Sequence, residues 1–234
     1  MIRWEPPGPY RVVFTTRVGG VSDGPYESLN LGRMIGDDPA RVDENRRRAC
    51  AEVGAEPERI AMNFQRHTAL VHRAQAGLRG QAVGDGLWTD EPDLPLLALT
   101  ADCLPIALVR ANGDRPAIGV LHAGWRGVLG GILDAGVAAL GGGAVAAAIG
   151  PAIGPCCYEV RDDVAEPFRR RFGRGIVRDG RLDLPGAADQ ALRGAGCTSV
   201  ERLDICTACH PELFFSYRRD GKPGGGQGVI GHIA

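Results

Sequence analysis

A chain of 234 residues with 44% hydrophobic content is long enough to bury a substantial core, and its composition is that of one globular domain spanning 1–234. Twenty-seven basic residues against 28 acidic ones leave a formal charge of −1, so nothing overall draws the chain to nucleic acid or to an anionic membrane. Any anion it binds must be met by a local site. The opening Met-Ile-Arg-Trp-Glu-Pro-Pro-Gly has no apolar run and no small-residue cleavage pattern, so no secretory signal is read and a cytoplasmic location is expected. Seven cysteines in that setting imply reduced thiols and no disulfide framework.

Strand-like composition falls at 12–16, 69–71, 96–100, 104–109, 118–122 and 145–149. Helical periodicity predicts helices over about 38–53, 127–140, 161–172 and 187–194. Asp37 or Asp38 is placed to cap the first of these, with Pro39 suited to its first turn. The apolar tract from about 128 to 153 is broken by Asp134, by three glycines from Gly141 and by Pro151, so it reads as a helix, a turn and a buried strand and not as a bilayer span. Strands and helices mix without strict alternation, and neighbouring strands look like hairpins. The expectation is an α+β fold in layers.

The chemistry concentrates in two of those strands. Cys103 opens the run Cys-Leu-Pro-Ile-Ala-Leu-Val, and His122 closes Ile-Gly-Val-Leu-His, with Asn112-Gly113 between them. Asn-Gly is a strong hairpin turn signal because both residues tolerate positive φ. A two-residue turn centred there puts Cys103 directly opposite His122, but it also puts Pro105 and Pro116 at hydrogen-bonded positions, where a missing N–H breaks the ladder. A bulge or longer loop is therefore expected, with Cys103 and His122 at one end of the hairpin. A thiolate and an imidazole brought together suit zinc or copper, and a third protein ligand completes a catalytic arrangement. His67 and His72 are the candidates for that place. They are separated by an odd number of residues, so in a regular strand only one faces the site. A Cys–His hydrolase, with Cys103 as nucleophile and His122 as base, uses the same two residues.

Ala123-Gly124-Trp125-Arg126-Gly127 leads from His122 into a helix, whose unpaired N–H groups and the Arg126 fork suit a phosphate or carboxylate. Cys206-Thr207-Ala208-Cys209-His210 matches the spelling of a covalent haem attachment motif, which a chain without an export signal does not need. No second pair of that spacing accompanies it, so a four-thiol zinc site is not expected. The neighbours Cys156 and Cys157 would point to opposite sides of an extended segment.

With these residues in view, the sequence resembles the YfiH family, also called the laccase-domain or polyphenol oxidoreductase family. The resemblance runs along most of the chain: Arg17-Val18-Gly19-Gly20-Val21-Ser22, Ser28-Leu29-Asn30-Leu31-Gly32, Gln65-Arg66-His67, Gly84-Asp85-Gly86-Leu87, Ala101-Asp102-Cys103-Leu104-Pro105, His122 to Gly127, Ile149 to Gly154, Cys157-Tyr158-Glu159-Val160 and Phe214 to Arg219. It implies a layered mixed α/β sandwich and a purine nucleoside phosphorylase with adenosine deaminase activity. It also implies a zinc site made by His67, Cys103 and His122, with His72 outside the pattern. Gly226 stands where family members often carry an arginine.

That reading implies purine nucleosides and phosphate as ligands, with no nucleic-acid or membrane partner. For deamination, water activated by the metal attacks C6 of adenosine, and a carboxylate moves the proton. Asp85 is the first candidate for that carboxylate and Asp102 the second. For phosphorolysis, Arg17, Arg46 and Arg126 are candidates to bind phosphate, and Ser28 and Asn30 to bind sugar or base. Three rivals are carried: a copper-dependent polyphenol oxidase, for which five histidines are few; the cysteine hydrolase; and a non-catalytic metal-binding module.

Overall fold

A computed structural model of the chain describes residues 1–111, 115–141 and 144–234. The chain runs through β1 (Ile2–Trp4), β2 (Tyr10–Phe14), α1 (Pro39–Val53), β3 (Met62–Phe64), β4 (Val71–Arg73), β5 (Arg79–Val83), β6 (Gly86–Thr89), β7 (Leu96–Thr100), β8 (Leu104–Arg110) and β9 (Ile118–Ala123). It continues through α2 (Trp125–Gly130), α3 (Ile132–Ala139), β10 (Val145–Ile149), α4 (Asp162–Phe172), β11 (Val177–Arg178), β12 (Arg181–Leu182), α5 (Leu184–Gly194), β13 (Cys197–Arg202), α6 (Tyr217–Asp220) and β14 (Gln227–Ile233). Among the described residues, no helix is long and apolar enough to cross a membrane.

Two sheets carry the architecture. One has the order β1-β2-β14-β7 and the other β13-β10-β8-β9-β6-β4. Alternation along the strands explains the layering. On β8, Leu104, Ile106 and Leu108 join the core under α3, α4 and α5, while Ala107 and Val109 face the smaller sheet and pack with Phe14, Leu96, Ala98 and Val229. The other face of the smaller sheet, with Val13, Leu97 and Ile230, packs on Ala49, Cys50 and Val53 of α1. The result is a helix, sheet, sheet, helix sandwich, the expected α+β class.

Helix α1 begins as its sequence specifies. The Asp38 carboxylate accepts the Ala40 N–H at 2.9 Å, Pro39 occupies the first turn, and Gly54 ends the helix at φ 69°. The helix expected over 127–140 is instead two, because Gly131 at φ 91° ends α2 and starts α3. The Asn112-Gly113 turn lies outside the described residues, but the strands that flank it do not. Leu104 opposes Ala123 and Pro105 opposes His122. The pairing is thus displaced by two residues from the one that a turn centred on Asn112-Gly113 gives, and Cys103 is not opposite His122. Arg110 donates its N–H to Ala117 O at 2.9 Å. Pro105 therefore falls at a non-hydrogen-bonded position towards β9, where the absent N–H costs nothing.

Candidate metal centre

The segment Ala101-Asp102-Cys103 carries the chain from β7 in the smaller sheet to β8 in the larger one. Asp102 makes the corner at φ 85°, a conformation that most residues avoid. Its carboxylate holds the corner, accepting Thr207 Oγ1 at 2.6 Å and the Arg218 N–H at 2.7 Å. Cys103 emerges at the mouth between the sheets. His122, next to last on β9, points to the same side as Ile118 and Val120, towards the smaller sheet. His67 arrives from the connection between β3 and β4, also at a positive φ of 60°.

Asp85 organises the two histidines. Its carboxylate accepts the N–H groups of Arg66, His67 and Thr68 at 3.1, 3.0 and 2.6 Å and the Thr68 hydroxyl at 2.8 Å. His122 Nδ1 lies 2.7 Å from the same group, so this nitrogen carries a proton and Nε2 is the nitrogen left to bind a metal, in exchange for its own proton. Three successive N–H groups on one carboxylate over-determine the left-handed His67 backbone. Burial alone would raise the Asp85 carboxyl, yet the bonds from His122, Thr68 and Arg66 outweigh it and hold it well below the usual carboxylate range.

The donor atoms of His67, Cys103 and His122 all lie within 4.8 Å of one another. Cys103 Sγ is 3.8 Å from His67 Nε2, and the two imidazole rings meet edge to face with centroids 4.8 Å apart. Burial opposes ionisation of the Cys103 thiol, but His122 and His67 reverse the effect and bring it down to about 6. Burial likewise opposes the His122 cation, and Cys103 and Asp85 raise it to about 9. The site therefore favours a thiolate beside donors held by a carboxylate, the electronic demand of a divalent transition metal. Gly124 leaves the room: a Cβ there would lie 2.8 Å from His67 Cδ2 and 2.9 Å from Cys103 Sγ. Two nitrogens and one sulfur, clustered and oriented from behind, fit a three-ligand metal site. His72 takes no part; its Nε2 lies 2.9 Å from Val83 O.

The three residues line a cavity of about 830 Å³ whose walls include Ile35, Trp125, Tyr158 and Phe215, with Arg218 and Lys222 as its cations. Asp102 also lines it, whereas Asp85 is 1% exposed and lies behind the histidines. Of the two aspartates expected to move a proton, Asp85 does not border the cavity, and Asp102, which does, already accepts Thr207 Oγ1 on one oxygen and the Arg218 N–H on the other.

Four of the expected ligand contacts are likewise not among the residues that line this cavity, because the scaffold uses their polar groups. Arg17 donates to Glu27 O and Pro211 O at 2.7 and 2.9 Å and stacks on Phe215. Buried Arg46 gives Nε and Nη2 to Leu31 O at 3.0 and 2.8 Å. The Ser28 hydroxyl donates to Arg17 O at 3.0 Å. Asn30 is fully buried, donating to Gly32 O and Asp37 Oδ2 and accepting the Gly32 and Gly226 N–H groups. Asn30 and Leu31 thus build the wall that carries Gly226, and Arg46 supports it through Leu31. Arg126 is exposed, its guanidinium 4.2 Å over the Trp125 ring, and its charge acts on Tyr158. Arg126, the fifth, is not a lining residue either, but it follows Trp125, which is, and so stands at the rim.

Sequence reasoning gave no site role to Tyr158, Arg218 and Lys222. For Arg218 the signal was present in the aromatic and basic run Phe214 to Arg219, which the fold brings against Asp102 through the Arg218 N–H.

Comparison with known proteins agrees with this architecture. A family model described as multi-copper polyphenol oxidoreductase laccase matches residues 11–232. A purine nucleoside phosphorylase of Deinococcus radiodurans is 43% identical over 229 residues, covering 93% of this chain and 87% of that protein. One from Pseudomonas aeruginosa is 36% identical over 231 residues, covering 94% and 93%. The crystal structure of YlmD from Geobacillus stearothermophilus superposes with a TM-score of 0.88 at 35% identity, covering 97% of this chain and 93% of that one. The chain belongs to the YfiH family of multi-copper polyphenol oxidoreductase laccase-like proteins.

Proposed function

We propose that residues 1–234 act as one catalytic domain, a zinc-dependent purine nucleoside phosphorylase that also deaminates adenosine. The observation that carries this reading is the convergence of His67, Cys103 and His122 on the wall of a cavity large enough for a nucleoside and phosphate. The names of the relatives from Deinococcus and Pseudomonas point to the same chemistry. Zinc is the metal that the family resemblance implies, and one thiolate and two imidazoles on a cavity wall suit a three-ligand catalytic zinc site, although the same donors also suit copper. Adenosine, inosine, guanosine and methylthioadenosine are the candidate substrates.

Bound zinc supplies Lewis-acid polarisation and lowers the pKa of water. The chain's own groups do the rest. Asp85 fixes the proton on His122 Nδ1 and so the direction of Nε2. Trp125, Tyr158 and Phe215 offer apolar and aromatic surface to a purine, and Arg218, Lys222 and the rim Arg126 offer positive charge to phosphate. Asp102, the one of the two candidate aspartates that borders the cavity, is the group proposed to move a proton.

The test is a metal assay followed by product analysis. Protein containing zinc is incubated with each nucleoside with and without phosphate. Ribose 1-phosphate formed only with phosphate supports phosphorolysis, and inosine from adenosine supports deamination. Full activity after complete chelation, abolished by Cys103→Ser, would instead assign the cysteine hydrolase that the Cys103–His122 pair also resembles. Oxidation of a phenol by copper-loaded protein alone would assign the oxidase. Turnover of none of these by protein that retains its metal would leave the non-catalytic metal-binding module.

A further inference from the structure

Four of the seven cysteines gather outside this centre. The sequence suggested otherwise, since Cys156 and Cys157 belong to no CxxC pair and would diverge in an extended strand. They are not extended. The chain turns at Gly154, where the N–H groups of Cys157 and Tyr158 both donate to Gly154 O at 3.0 Å. Both thiols then come to Cys209, with Sγ to Sγ distances of 3.5 Å from Cys156 and 3.4 Å from Cys157. Cys206 completes the group, and all four sulfurs lie within 4.8 Å of one another.

We infer that Cys156, Cys157, Cys206 and Cys209 form a structural metal site, separate from the cavity centre, that takes a thiophilic divalent cation, zinc first. A tetrahedron with Zn–S bonds of about 2.3 Å has edges of roughly 3.8 Å, inside the span these sulfurs already occupy. The shorter separations are well beyond an S–S bond of about 2.05 Å, and the cysteines are free. The backbone is also arranged for thiolates. The Gly154 N–H points at Cys206 Sγ at 3.3 Å, and a Cβ on Gly154 would meet Cys206 Cβ at 3.3 Å and Cys156 Sγ at 3.4 Å. His210, the last residue of the haem-like motif, is turned away and pairs with Glu212 at 3.2 Å.

The two loops extend the parallel pairing of β10 with β13: Ala152 bridges Cys206, and the Thr207 N–H donates to Ala152 O at 3.0 Å. Thr207, inside the CxxC turn, bonds Asp102, and Tyr158, next to Cys157, lines the cavity. A cation held by the four thiolates therefore ties together the two loops on which that cavity wall rests.

The experiment uses the full chain and zinc alone as the probe. A Cys103→Ser/His122→Ala variant, purified under reducing conditions, loaded with zinc and desalted, should retain about one zinc per chain. Adding Cys156→Ser and Cys209→Ser, both at exposed positions, should reduce the retained zinc to background. In the unmutated protein, peptide mapping after alkylation should show all four thiols protected by zinc and released together by chelation. Cobalt in place of zinc should give the intense near-ultraviolet charge-transfer absorption of tetrahedral thiolate ligation. Zinc-independent alkylation of the four thiols, or disulfide-linked peptides among them after reducing purification, overturns the inference. Because two of the three cavity ligands are absent from the first variant, failure of the proposed enzyme activity leaves this result untouched.

Discussion

Asp85 and His122 share one short contact, 2.7 Å from carboxylate Oδ1 to imidazole Nδ1, and the same oxygen accepts the backbone N–H of His67 at 3.0 Å. One side chain therefore orients one candidate ligand through its ring and the other through its main chain. The centre is a consequence of where the residue just before β6 places a single carboxylate.

Replacing Asp85 by asparagine keeps its volume but turns an amide N–H₂ towards groups that are themselves donors. Zinc affinity should fall about 10- to 100-fold, the usual effect of losing a partner behind a ligand histidine. Stability should drop by roughly 3 kcal/mol, because three N–H groups and an imidazole lose an ionised acceptor. Chelator competition and urea unfolding measure the two effects. Unchanged zinc affinity in a folded Asp85→Asn protein would show that the contact is not part of the metal site.

Gly124→Ala probes the same centre from the front. The added methyl meets the edge of His67 and the sulfur of Cys103, both side chains that can shift, so the sandwich should survive while the ligand triangle opens. We expect zinc affinity to fall at least ~10-fold with stability changed by less than ~1.5 kcal/mol. Circular dichroism melting beside zinc titration separates the effects; a loss of folding without any loss of affinity contradicts the assignment.

Metal removal should leave Cys103 unusually reactive. Its thiol is drawn from the ordinary value of 9.0 down to about 6, so the thiolate accumulates as pH rises through 6 and is nearly complete at neutral pH. Burial pushes Cys50 and Cys197 up to about 11, and they should stay silent in the folded protein. Iodoacetamide labelling of chelated protein across pH, read by peptide mapping, should rise near pH 6 at Cys103 and be suppressed by zinc. A rise only near pH 9 contradicts the pairing with His122.

What the sequence allowed was decided by how local the cause is. The start of α1 was readable because Asp38 and Pro39 act on their own neighbours. Strands β8 and β9 were readable from apolar runs, and their ends put Cys103 and His122 together. Their register was not readable, since it depends on a turn whose length no pairwise rule fixes. Strand β14 escaped notice because Gly228 and Gly231 lower its strand-like composition; yet it is the central strand between β2 and β7, where a Cβ on Gly228 would lie 2.0 Å from Ala98 O. Close packing selected glycine there, and packing is not visible in a run of letters. Arg46 and Asn30 were chosen for their chemistry, but their polar groups are spent on Leu31, Gly32 and Asp37. Only three-dimensional neighbours reveal such a commitment.

Arg46 and Lys222 test that distinction directly. Arg46→Met removes two bonds to a buried carbonyl and should cost roughly 1–3 kcal/mol in unfolding free energy. Lys222→Ala should stay within ~0.5 kcal/mol of the parent stability, while KM for phosphate rises severalfold. Urea unfolding and steady-state kinetics on both variants check the split. If Arg46→Met raises KM for phosphate more than Lys222→Ala does, the cation from α1 reaches the ligand after all.

Gly226 offers the opposite experiment, a gain. A Cβ there meets only Thr100 O at 3.6 Å, while one on the adjacent Gly225 would run into the Phe215 ring at 2.5 Å. The Gly226 backbone is also anchored, its N–H bonded to Asn30 Oδ1 at 2.9 Å and its carbonyl accepting the Leu31 N–H at 2.9 Å. Gly226→Arg should therefore fold and add a guanidinium to a cavity already carrying Arg218 and Lys222. A charge-assisted bond to phosphate contributes on the order of 1.5 kcal/mol, so KM for phosphate should fall about tenfold. Gly225→Arg, as a control, should lose stability by more than 1 kcal/mol through overpacking against Phe215. Should Gly226→Arg fold and leave the KM for phosphate unchanged while that for the nucleoside rises, this wall of the cavity faces the purine or ribose and the phosphate lies towards Arg126.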